Sequence, residues 1–225
     1  MELTTNQIQE IETYIKSKDV DYIDLKIEIL DHLISDVEHK INKGFSFESA
    51  LQLTKQKWSK HFRSSSSIFL GLQFSTSKVV LKKAVKAFRP FYVLYVVSCI
   101  LPFVIFRNVS VDFTESRMSF VNAFFKTTTL LALLYFIFII FKMMRSKEKT
   151  TYRFILKTQY LGISFLIIAQ TVTSYFDKLG QINSVFVGFS FAGLATTYIC
   201  HHFYKKHVLE IAKNPLPSRL SSRAL

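Results

Sequence analysis

The chain has 225 residues, of which 49% are hydrophobic, 15% aromatic and 20% charged, with only 6 Gly and 4 Pro. So few turn formers exclude a loop-rich sandwich or a collagen-like chain, and so much apolar content excludes a disordered one, which leaves an all-α protein. A net charge of +13 admits nucleic acid or an anionic membrane as partner, and the widely separated Cys99 and Cys200 provide neither a disulfide framework nor a CxxC metal site.

Residues 1–62 read as a small cytosolic module of three helices, with no apolar stretch long enough for a signal-peptide core. Thr4 and Gln7 have the spacing of a capping box, Leu3 and Ile8 stand at staple positions, and Ile8, Ile11 and Ile15 line one face of the first helix. The second helix is expected over 21–43. Its apolar seam is Ile23, Ile27, Leu30, Ile34, Val37 and Ile41, and Gly44 ends it because glycine accepts positive φ. Ser46 caps the third, Glu48 suits the positive end of its dipole, and Phe47, Ala50, Leu51, Thr54, Trp58 and Phe62 face inward. A module of this size is near the lower limit of independent stability, so docking or self-association would support it.

Residues 63–86 read as a linker followed by an interfacial helix. Ser64 to Ser67 is a serine run, and Ile68, Phe69, Leu70 and Leu72 form an apolar patch far too short to cross a bilayer, expected to touch its surface. From Ser77 to Arg89, Leu81, Ala84, Val85 and Phe88 share one side while Lys78, Lys82, Lys83, Lys86 and Arg89 occupy the rest, the pattern of a helix lying among lipid headgroups. A basic nucleic-acid-binding helix is the rival, disfavoured because the apolar face runs directly into a span.

Residues 87–204 hold four apolar stretches, 87–106, 121–141, 159–176 and 182–200, expected to form a four-helix transmembrane bundle. The helices of a soluble bundle would need polar outer faces, which these lack. Sixteen Lys and Arg flank one set of ends: Lys78 to Arg89 before the first span, Lys142 to Lys157 between the second and third, and Lys205 to Arg223 in a basic tail, 205–225. The opposite ends carry Arg107, Arg117 and Lys178, diluted by Asp112, Glu115 and Asp177. Positive charge resists leaving the cytoplasm, so both termini are expected there, with the basic stretches on anionic lipid and none left for nucleic acid.

Few residues carry candidate chemistry. Glu28, Asp31, His32, Asp36 and His39 lie along one flank of the second helix and form a candidate partner-binding face. Metal binding or pH sensing is the sharper reading and a solvated face the plainer one. With Asp24 this acidic helix is suited to dock on the basic loop from Lys142 to Lys149. Gln170, Thr173 and Ser174 form a candidate polar intramembrane face, against which stands ordinary hydrogen bonding between helices. Ser184, Gly188, Ala192 and Thr196 recur every four residues and suit close backbone packing, and Pro102 is expected to kink the first span. Lys126 and Lys157 are placed to snorkel to headgroups. Cys200, His201, His202 and His207 are the wrong distances apart on a helix to share one ion, so no metal or other cofactor is expected.

The run Glu28-Ile29-Leu30-Asp31-His32, followed by Gly44-Phe45-Ser46-Phe47-Glu48-Ser49-Ala50, resembles the HAAS-type helical signalling modules that precede membrane spans in bacterial proteins. Trp58, the serine run and the four spans are similar in layout to a Bacteroidota group with such a module. The resemblance implies bacterial membrane signalling or regulation, and no catalytic residue. No nucleophile elbow, P-loop or HExxH appears, so the expectation is a non-enzymatic regulatory or interaction protein with an unidentified cytosolic partner. A small oligomeric channel or transporter is the alternative, and homo-oligomerisation fits either reading.

Overall fold

A computed structural model describes residues 2–18, 20–108 and 113–213. Asp112 and the tail beyond Lys213, with Arg219 and Arg223, lie outside the described residues. The architecture is mostly helical, in the order α1 (Thr5–Lys16), α2 (Ile23–Ile41), α3 (Phe47–Phe62), β1 (Ser64–Ser67), β2 (Gly71–Ser77), α4 (Lys78–Asn108), α5 (Glu115–Arg145), α6 (Thr151–Lys157), α7 (Tyr160–Thr171) and α8 (Ser184–Lys213). The all-α expectation is corrected by the hairpin of β1 and β2. Contacts group the described residues into two units. The first holds those up to Lys86, Glu148–Phe154 and those from Lys206; the second holds Ala87–Lys147 and Ile155–Lys205.

In the first unit, the expected caps form. Thr4 Oγ1 accepts the Gln7 N–H and Gln7 Oε1 accepts the Thr4 N–H, at 3.4 and 2.9 Å, while Ser46 Oγ accepts the Ser49 N–H at 3.3 Å. Gly44 has φ 93°, the left-handed conformation that ends α2. The core of the three helices contains Ile11 and Ile15 of α1 and Ala50, Leu51 and Thr54 of α3. The seam of α2 is rotated from the expected one. Leu25, Ile29, Leu33 and Val37 are buried, whereas Ile27 is 55% exposed. Apolar residues occupy two adjoining rows of this helix, and the unbroken i, i+4 row enters the core.

The serine run is a strand and not a linker. Ser64 pairs with Ser77 and Ser67 with Gly71, the chain reversing at Gly71, whose φ is 92°. Leu70 in the turn is buried, and Lys78 N–H donates to the Arg63 carbonyl at 3.0 Å to close the open end. The expected interfacial helix and first span are one helix, α4, with Pro90 and Pro102 inside it. Its expected lipid-facing side is also corrected: Leu81, Ala84 and Phe88 are buried by protein.

Four helical stretches are long and apolar enough to cross a membrane: Lys78–Asn108, Glu115–Arg145, Thr151–Thr171 and Ser184–Lys213. The third starts earlier than expected, turns at Thr158–Gln159 between α6 and α7, and ends at Thr171 rather than 176. In the second unit α4 and α5 expose most of their apolar surface, and about half of each of the other two is buried. α8 lies against both α4 and α5, through Phe91–Phe203 (centroids 5.1 Å) and Phe125–Phe191 (6.0 Å). The small residues of α8 act as expected: Ala192 and Thr196 are fully buried, and a Cβ at Gly188 would stand 3.1 Å from the Cys99 carbonyl of α4. Gly162 of α7 approaches α8 more closely, since a Cβ there would overlap the Thr196 side chain.

Candidate functional site

The acidic flank of α2 divides into two parts. Asp36 is engaged inside the module: Trp58 Nε1 donates to its Oδ2 at 2.8 Å, and Lys57 Nζ lies 2.9 and 3.0 Å from its two oxygens. Burial alone would raise its carboxyl, but the bonds from Trp58 and Lys57 and the charges of Lys57 and Lys40 outweigh it and hold Asp36 below the usual carboxylate range. The His32 ring lies 6.4 Å from that of Trp58. Glu28 is 3.5 Å from Lys83 of α4. Asp31 and His39 are exposed. The five therefore do not converge on one ion, and no group of three His, Cys, Asp or Glu able to hold a metal occurs among the described residues.

Asp24, one turn before Glu28, is the better-built residue. Its side chain is 2% exposed. Oδ1 accepts the backbone N–H of Thr151, the first residue of α6, at 2.9 Å, and Oδ2 stands 3.2 Å from Lys83 Nζ. Lys83 also donates to the Asp24 carbonyl at 2.6 Å. An anionic acceptor on an otherwise unpaired N–H of a helix's first turn satisfies both its hydrogen bond and its dipole. Beside it, Tyr22 bridges in parallel to Lys149, whose carbonyl accepts the Ile23 N–H at 3.0 Å while its ammonium pairs with Asp21 at 3.0 Å. The expected docking of α2 on the basic loop thus occurs at its Lys149 end. Lys142 and Arg145 instead lie over the rings of Phe138 and Phe141, 5.7 and 4.2 Å from their centroids.

The same first-unit cluster includes the last turns of α8. His207, 1% exposed, bonds through Nδ1 to the hydroxyl of Thr150 at 2.8 Å. That hydroxyl also accepts the Arg153 N–H at 3.1 Å, so it caps α6. Arg153 in turn donates to the Glu148 carbonyl at 2.9 Å. Nothing local in the sequence singles out Thr150, Thr151 or Asp24, because 127 positions separate Asp24 from Thr151.

The rest of the predicted residues separate. Gln170 Nε2 donates to Thr129 Oγ1 at 2.6 Å and to the Lys126 carbonyl at 3.1 Å, joining α7 to α5. Thr173 and Ser174 lie beyond the end of α7; Thr173 is exposed, and Ser174 Oγ accepts the Phe176 N–H at 3.0 Å. These three do not make one face. Ser174 does line an open cleft of about 440 Å³ with Glu115, Ser119, Asn122, Asp177 and Lys178. Cys200 is buried, His201 bonds to Tyr135 Oη at 2.6 Å, and His202 lies against Phe91, so this cluster also diverges.

One basic neighbourhood remains in the first unit. Burial first, and then the charges of Lys60, Lys78, Lys82 and Lys57, push His61 below its ordinary value. The chain matches no known protein family, no curated protein and no solved structure.

Proposed function

We propose that this is a regulatory or interaction protein of a bacterial inner membrane, with both termini cytoplasmic, whose amino-terminal module recruits or senses a cytosolic protein. The observation that carries the reading is the Asp24 junction. One buried carboxylate of the module holds the start of α6 and a lysine near the start of α4, and Thr150 ties the same segment to the end of α8. Three of the four apolar helical stretches thereby have an end fastened to the module. A partner that prefers one arrangement of α2 would shift those ends by its differential affinity, which is what a sensor requires. The exposed Asp31 and His39 are the surface offered to that partner, and the likeness to HAAS-type modules suits the same role.

The channel or transporter reading draws less support, because the amide of Gln170 is spent on Thr129 and a backbone carbonyl rather than turned to an aqueous path. The remaining basic flanks suit anionic lipid, in keeping with a chain that binds no nucleic acid and carries no catalytic centre. The test is site-specific photo-crosslinking in native membranes, from probes at Asp31 and His39 of the full chain. The reading expects a cytosolic adduct at both positions that Asp31→Lys abolishes at the other; no adduct at either position contradicts it.

A further inference from the structure

One polar pair of the second unit sits on its apolar outside. Tyr135 Oη of α5 and His201 Nδ1 of α8 are bonded at 2.6 Å, yet Tyr135 is 39% exposed and His201 is exposed as well, beside the exposed Leu131, Leu134 and Phe138. The two helices run side by side in one direction, since Phe125 meets Phe191 and, further along each, Tyr135 meets His201. Their cations therefore gather at the same end, with Lys142 about two turns beyond Tyr135 and Lys205 about one turn beyond His201, both exposed. The Lys142 ammonium lies 5.7 Å from the centre of the Phe138 ring, which stacks on that of Tyr135 at 6.2 Å, so its charge is turned back toward the polar pair. No carboxylate among the described residues pairs with Lys142 or Lys205, and the sequence has no Asp or Glu from 116 to 147 or from 178 to 209. Two ammonium groups without a counter-ion, a hydroxyl–imidazole pair and an apolar rim match one ligand chemistry, a phosphate that carries acyl chains.

We propose that the seam of α5 and α8 binds the head group of an anionic phospholipid, with Lys142 and Lys205 on its phosphate, His201 as a further hydrogen-bond donor and Tyr135 fixing the imidazole. This rests on the membrane reading above and goes beyond it, because that reading needs only diffuse attraction between basic flanks and a leaflet. With Tyr135 donating to Nδ1, the imidazole proton stands on Nε2 and is offered to a phosphate oxygen. The level along the chain is suitable: Lys142 follows the second apolar stretch, and His201 and Lys205 follow the fourth, where acyl chains give way to phosphates. A second copy of this surface is a poor occupant, because its ammonium groups would repel these.

The test counts bound lipid by native mass spectrometry of the full chain, released from micelles that hold equal phosphatidylglycerol and phosphatidylcholine. A phosphatidylglycerol is expected to stay bound in preference to phosphatidylcholine. Lys142→Gln and Lys205→Gln each weaken it about fivefold, Lys142→Arg retains it, and Lys147→Gln, an equal loss of charge just past the end of α5, changes it by less than about twofold. Thermal unfolding in phosphatidylcholine alone should be the same for all four variants, and added phosphatidylglycerol should raise the midpoint of the unsubstituted chain more than that of Lys142→Gln. Equal weakening by Lys147→Gln, no preference between the two lipids, or displacement of the lipid by inorganic phosphate, which would mark a site for a soluble anion, overturns the proposal. Carbonate extraction of membranes separates the two levels: a chain retained in the pellet that shows no lipid preference refutes the head-group site alone, whereas a chain released into the supernatant refutes the membrane reading beneath it.

Discussion

The two units solve the problem of a polar group in different ways. In the first, polar side chains join segments remote in sequence: Asp24 to Thr151, Asp21 to Lys149, Tyr22 to Thr76 and Thr150 to His207. In the second, polar ties such as Gln170 to Thr129 and Tyr135 to His201 stand beside hydroxyls that bond within their own helix, as Ser98 does to the Leu94 carbonyl, Thr196 to Ala192 and Thr197 to Gly193, and close packing falls at Gly162, Gly188 and Gly193. The contrast teaches that apolar helices with lipid-compatible outer faces gain little from hydrophobic association and rely on small residues, whereas a module of sixty-odd residues needs specific polar ties to the rest of its unit.

Removing the central tie has the largest expected effect. Asp24→Ala leaves the Thr151 N–H without its acceptor and takes the buried carboxylate from Lys83, which keeps only the Asp24 carbonyl and Glu28, and destabilises the first unit by about 1 to 3 kcal/mol, less than a fully buried pair because Lys83 is 30% exposed. Hydrogen exchange of the full chain in detergent should locate the loss at the starts of α2 and α6. Asp24→Asn, which keeps the acceptor and loses the charge, should recover part of it.

Breaking the second unit takes added volume instead of a lost bond. Gly162→Ala drives a methyl into Thr196 and costs about 1 to 3 kcal/mol, and Thr196→Gly in the same chain relieves the overlap; thermal unfolding in detergent reads both. Gln170→Leu removes the α7–α5 bond at a cost of about 0.6 to 1.7 kcal/mol by the same measurement. A much larger loss would mean that the polar ties of the two units are alike after all.

The smallest effect is at Asp36, which sharpens the comparison through pH. Its carboxyl is held below its ordinary value in the folded state, so its contribution is complete above the unfolded-state value near 3.8 and is lost as pH falls through the lower folded-state value. Because the carboxylate is partly exposed, that contribution is under about 1 kcal/mol. Asp36→Asn should therefore lower stability slightly at neutral pH and flatten the acid limb of unfolding below about pH 4.

What was legible in the sequence follows the range of each interaction. Caps at Thr4 and Ser46, the stop at Gly44 and the small-residue stripe of α8 are local and appear where the pattern places them. The hairpin was missed because four serines carry no β-branched or aromatic signal and its turn lacks an Asn-Gly pair. The seam of α2 was misplaced at Ile27 because two apolar rows compete and only tertiary packing chooses between them. Of the candidate site, the acidic flank of α2 was legible as a flank, but the decisive residue on it is Asp24, whose partners come from α4 and α6.

The central claim is that the chain crosses the membrane with its basic connections on the cytoplasmic side. Its most direct measurement is labelling of intact cells with a membrane-impermeant maleimide at Lys147→Cys and Lys178→Cys, both exposed positions in the full chain. The account expects Lys178→Cys to react from outside and Lys147→Cys to react only after the membrane is opened. Labelling of Lys147→Cys in unbroken cells, or protection of both until lysis, would contradict it.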